Sequence, residues 1–130
     1  MFQKAVKILV IDDEEDFIFF LKKNLERRAY QVWEASSGSQ GLELAKRKKP
    51  DLIFLDIMMP GINGFEVLKR LKADKDTLSI PVVMLTGRED QEAKEMAKSL
   101  NNEDYLVKPV ELDELNLRIE KILSRRAKNK

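Results

Sequence analysis

Short apolar runs followed at once by a charged or hydroxyl residue recur along this chain, and segments of helical period separate them. The runs Lys7–Ile11, Gln31–Ala35, Leu52–Asp56, 81–85 and Tyr105–Val107 are rich in β-branched and aliphatic residues, as buried strands are. Between them, Phe17, Phe20, Leu21 and Leu25 stripe a helix over 16–28, and a Ser37 cap opens another at 37–48, closed before Pro50. Pro60, Gly61 and Gly64 punctuate a loop before a helix at 65–73. Ala93, Met96, Ala97 and Leu100 predict a helix at 90–100, and Leu112, Leu115, Ile119 and Ile122 a last one. Five β-then-α units demand a parallel sheet with helices on both faces. The first, third and fourth runs are apolar throughout and belong inside. Gln31–Ala35, which carries Gln and Glu, and the short Tyr105–Val107 suit the edges. The expected fold is thus α/β, a doubly wound five-stranded sheet of order 2-1-3-4-5, flavodoxin-like. One domain over 1–123 is expected, followed by a polar, frayed tail at 124–130.

At 130 residues the chain can bury a core without staples. Cys and His are both absent, which excludes a disulfide scaffold, thiolate or imidazole metal sites, Ser-His-Asp hydrolysis and a phosphohistidine carrier. Lys and Arg total 24 against 23 Asp and Glu, so a nucleic-acid or membrane-surface footprint is not expected. No apolar run approaches the about 20 residues of a membrane span, and the N-terminus lacks a signal-peptide pattern. A cytoplasmic location is the expectation.

Ligands of an open parallel sheet bind beyond the carboxyl ends of its strands, where the winding reverses. Asp12 and Asp13 follow the first strand there, Asp56 ends the third, Thr86 the fourth and Lys108 the fifth. Three crowded carboxylates repel one another unless a hard cation such as Mg²⁺ joins them. With one Mg²⁺ and Lys108 the formal charge sums to zero. Such a site suits an aspartyl nucleophile toward a phosphoryl donor, the product held by the metal, Lys108, Thr86 and backbone N–H groups.

These residues resemble the receiver domain of bacterial two-component response regulators, in particular the stand-alone, chemotaxis-regulator-like kind. The resemblance runs from about Lys4 to Leu123. It is carried by Val10-Ile11-Asp12-Asp13-Glu14, by Asp51-Leu52-Ile53-Phe54-Leu55-Asp56 with Met58-Met59-Pro60-Gly61, by Val83-Met84-Leu85-Thr86, and by Asp104-Tyr105-Leu106-Val107-Lys108-Pro109. It implies that Asp56 accepts phosphate from a sensor histidine kinase or a histidine phosphotransfer protein. It implies Mg²⁺ on Asp13, Asp56 and the Met58 backbone carbonyl, with Asp12 acting through a metal-bound water. Lys108 would pair with the phosphoryl group. Thr86 and Tyr105 would switch a surface formed by the fourth helix, fifth strand and fifth helix toward a downstream protein. The family also implies a cis Lys108–Pro109 bond. No catalysis beyond self-phosphorylation and slow self-dephosphorylation is expected, nor direct DNA or membrane contact, and the chain is expected to be a monomer or a phosphorylation-dependent dimer. Asn101, Gly87 and Val110 depart from the common pattern. Met58 and Arg88 border the path of a hydrolytic water, which an apolar Met58 does not orient.

Each residue alone has a plainer reading. Asp12–Asp16 is an acidic helix start, Thr86 a cap, Lys108-Pro109 a turn and Tyr105 edge packing. Their joint placement at one sheet edge is what the plain readings leave unexplained. Flavodoxin-like nucleotide binding would need an N–H-rich loop where the acidic residues stand. An aspartyl phosphatase would carry a second Asp where Met58 stands. A receiver-like module that is never phosphorylated remains the serious rival.

Overall fold

The computed structural model describes residues 5–87, 95–96, 98–99 and 104–128. Its elements are β1 (Lys7–Ile11), α1 (Glu15–Arg27), β2 (Gln31–Ala35), α2 (Gly38–Lys48), β3 (Leu52–Asp56), α3 (Gly64–Ala73), β4 (Val82–Thr86), β5 (Tyr105–Val107) and a C-terminal helix (Leu112–Lys128). The strands form one sheet in the order β2-β1-β3-β4-β5, every pairing parallel. The helix expected at 90–100 lies mostly outside the described residues, although Glu95, Met96, Lys98 and Ser99 are helical.

Alternation along the strands divides the core into two layers. Leu9, Ile11, Ile53, Leu55, Val82 and Met84 pack with Leu44, Ala45, Val67, Leu68 and Leu71 of α2 and α3. Ile8, Val10, Leu52, Phe54, Val83, Leu85 and Leu106 pack on the other face, against Ile18, Leu21 and Leu25 of α1 and Leu115, Ile119 and Ile122 of the C-terminal helix. Every side chain of β3 and β4 is buried, as the uninterrupted apolar runs require. Each buried Leu or Ile contributes about 1.5–3 kcal/mol, so the strand ends are firmly located.

Local signals set the helix starts. Ser37 Oγ accepts the Gln40 N–H at 3.2 Å to cap α2, and Asn63 Oδ1 accepts the Glu66 N–H at 3.0 Å to cap α3. The Lys49 backbone is left-handed, which stops α2 at Lys48, ahead of Pro50. Two boundaries differ from expectation. β4 spans Val82–Thr86, one residue further along than the 81–85 run, and the Thr86 carbonyl accepts the Lys108 N–H at 2.7 Å. The tail expected to fray from 124 is instead helical through Lys128. Arg126 Nη1 donates to the Asp51 carbonyl at 3.0 Å and Arg125 lies 3.7 Å from Asp104, so the last turns are tied to the sheet rim.

Candidate phosphoacceptor site

The carboxyl ends of β1 and β3 lie side by side, Ile11 level with Leu55. The residues that follow therefore meet. Ligand oxygens of Asp12, Asp13 and Asp56 all lie within 4.8 Å of one another. Asp12 is fully buried and Asp56 is 4% exposed, while Asp13 faces solvent. A buried carboxylate requires partners. Asp12 Oδ1 accepts the Glu14 N–H at 2.9 Å, and its Oδ2 accepts from Lys108 Nζ at 2.7 Å. Asp56 Oδ1 accepts the Met58 N–H at 3.3 Å and stands 3.9 Å from the same ammonium.

Burial, then the negative charge of Asp12, pushes the Asp56 carboxyl up to about 7, against the opposing pull of Lys108. Burial by itself would lower the Lys108 ammonium, but hydrogen bonds to Asp12 and Glu14 outweigh it and raise the group. A carboxyl half-protonated near neutrality, with two more acids against it, is an arrangement that a hard divalent cation would relieve. The all-oxygen donor set suits Mg²⁺.

The positions expected to act together are distributed as follows. Asp12, Asp13, Asp56 and Lys108 converge. Thr86 is buried at the end of β4, level with Val107. Met58 follows the cluster with its side chain 76% exposed. Tyr105 is half-buried on β5 against the α2/α3 layer, its carbonyl accepting from Arg118 Nη1 at 3.5 Å. The Lys108–Pro109 peptide is cis, as the resemblance implied. Among the departures, Val110 packs against the α1 layer and a Cβ on Gly87 would meet open space. Asn101 and Arg88 lie outside the described residues.

Two neighbours were not legible as site residues. Glu14 Oε1 lies 2.6 Å from Lys108 Nζ, and the Phe17 ring centroid lies 4.3 Å from it. Glu14 passes for an ordinary acidic residue at a helix start. Its partner lies 94 residues further on, beyond any local spacing rule.

Comparison with known proteins places the chain in a class. Residues 8–120 match the family model of the response regulator receiver domain. The chain belongs to that family, the receiver domains of two-component signal transduction. It is 44% identical over 119 residues to the alkaline phosphatase synthesis transcriptional regulatory protein PhoP of Bacillus subtilis, covering 92% of this chain but 49% of that protein. It is 36% identical over 118 residues to Protein PilH of Pseudomonas aeruginosa, covering 91% of this chain and 98% of that one. The chain thus spans about half the length of PhoP and nearly all of PilH. Among solved structures, chemotaxis protein CheY4 of Vibrio cholerae superposes with a TM-score of 0.87 at 27% identity, over 92% of this chain and 99% of that one.

Proposed function

We propose that Asp56 is the phosphoacceptor of this receiver, taking a phosphoryl group from a phosphohistidine on a sensor kinase or phosphotransfer protein. The observation that carries this is the buried Asp56 carboxylate, within 4.8 Å of two further acids and 3.9 Å from Lys108. One Asp56 oxygen attacks phosphorus, a P–O bond forms as the P–N bond breaks, and the imidazole nitrogen leaves with the electron pair. Mg²⁺, when bound, withdraws charge from the phosphoryl oxygens and offsets the repulsion among the acids. Asp13, Asp56 and the Met58 carbonyl would hold it, and Asp12 would act through a metal-bound water. Lys108 supplies the positive charge that pairs with the transferred group, and the Thr86 hydroxyl lies at the neighbouring strand end to follow it.

Phosphorylation then biases a surface that includes Tyr105 and the C-terminal helix toward a downstream protein. Besides self-phosphorylation and slow self-dephosphorylation, no catalysis is assigned. None of the described helices is long and apolar enough to cross a membrane. The reading is of a cytoplasmic monomer, or a dimer formed on phosphorylation, and the near-neutral charge supports the absence of a DNA contact of its own. A small-molecule phosphodonor with Mg²⁺ tests the core of it. The wild-type chain should gain the mass of one phosphoryl group and Asp56→Asn should not. Equal gain on both, or none on either, would leave the unphosphorylated interaction module as the better description.

A further inference from the structure

Lys108 is engaged more widely than a phosphoryl partner needs to be. Its ammonium, with the side chain only 14% exposed, contacts Asp12 at 2.7 Å and Glu14 at 2.6 Å, while Asp56 stays at 3.9 Å, beyond hydrogen-bonding reach. The Phe17 ring packs against the same ammonium. Glu14 lies outside the group of clustered acids, and its side chain is 63% exposed. Resting on the reading of Asp56 as phosphoacceptor, we propose that Glu14 is a positioning residue that clasps Lys108 in the unphosphorylated state and sets how readily it passes to an incoming phosphoryl group.

The physical case lies in the asymmetry of the two acids. An ammonium has three N–H donors, and two are committed here. The bond to Asp12 joins a buried carboxylate to its cation and is costly to break. The bond to Glu14 is exposed to water on one side, so it is weak enough to exchange. The Glu14 backbone is itself fixed by its N–H bond to Asp12 Oδ1, so the clasp is built from the same buried acid. With the Phe17 ring against the ammonium and Asp56 still 3.9 Å away, Lys108 must move to engage a phosphoryl oxygen, and Glu14 is the partner that can be released at low cost.

The test uses the full chain with Glu14→Gln, and with Glu15→Gln as a charge-matched neighbour. Glu15 lines the groove between α1 and the β2–α2 connection, away from Lys108. Two quantities are read: fluoroberyllate affinity in saturating Mg²⁺, and the Lys108 side-chain ¹⁵N resonance in metal-free protein, assigned by its loss in Lys108→Arg. Glu14→Gln should bind the phosphoryl mimic roughly two- to fivefold more tightly, the scale of a half-exposed ion pair, and should shift the Lys108 resonance. Glu15→Gln should do neither. Equal gains in the two variants would mean general charge repulsion and would overturn the clasp, as would an unmoved Lys108 resonance. A wild-type chain that ignores fluoroberyllate would bring down the phosphoacceptor reading and this inference together; failure of the Glu14 comparison alone leaves the phosphoacceptor standing.

Discussion

Gly64, the first residue of α3, lies directly against the backbone of Asp56: a Cβ there would overlap the Asp56 carbonyl oxygen and come within 2.7 Å of the Ile57 Cα. The Gly64 N–H also donates to the Ile57 carbonyl at 2.9 Å. Helix α3 is thus docked onto the chain that leaves the acceptor, with no room for a side chain between them. Gly64→Ala should cost about 1–3 kcal/mol in urea unfolding, as overpacking does, and should slow phosphorylation by moving Asp56. A variant that is fully stable and phosphorylates normally would show that the contact relaxes freely.

The Asp56 carboxyl sets a pH dependence whose sign is unusual for an acid. In the unfolded chain it loses its proton near 3.8, but the folded protein keeps it until about 7. Between those values the native state binds more protons, so stability falls as pH rises from about 4 to about 7 and then levels off. The stability lost across that range is on the order of 4 kcal/mol. Asp56→Asn should flatten this part of the profile and be the more stable protein at pH 8. Denaturant midpoints measured across this range in metal-free buffer decide it; parallel profiles for the two proteins would contradict the assignment.

Removing the cation should expose the cost of Asp12. Lys108→Met leaves a fully buried carboxylate with the Glu14 N–H as the one hydrogen-bond partner of its side chain among the described residues. A loss of roughly 3 kcal/mol in metal-free protein is expected. Calorimetry of Lys108→Met and wild type, each with and without Mg²⁺, checks it. An unchanged melting temperature in the metal-free variant would show that water already serves Asp12.

Magnesium itself should act as a folding ligand. At one hundred times its dissociation constant it should stabilise the wild-type chain by about 2.7 kcal/mol, and more weakly in Asp13→Ala. A melting temperature indifferent to the ion would deny the cluster its metal.

The exposed thioether at Met58 offers no hydrogen bond to align an attacking water beside Asp56. The phosphorylated chain should therefore persist for minutes or longer, and Met58→Asn should shorten its lifetime. Decay within seconds, followed by loss of phosphoryl mass, would remove Met58 from the argument.

Much of this is legible in the sequence because strand and site share one grammar. Ile53, Phe54 and Leu55 form an apolar run that must be buried on both faces, and that run dictates where Asp56 stands. The edge strands were betrayed by Gln31 and Glu34 in β2 and by the brevity of β5. Contacts formed by flexible side chains across long separations stayed hidden. Neither the Glu14–Lys108 pair nor the Arg126 tie that keeps the last helix wound leaves a periodic trace. The position of Thr86 at the end of its strand was legible in the same way, since the apolar run Val83-Met84-Leu85 leads straight into it.

With Leu52 and Phe54 locked into one hydrophobic layer and Ile53 and Leu55 into the other, β3 has no direction in which to recoil. A group added to Asp56 would strike an anvil. On the proposed function, the added group would have to be accommodated by the side chains around the acceptor and not by movement of the strand that bears it.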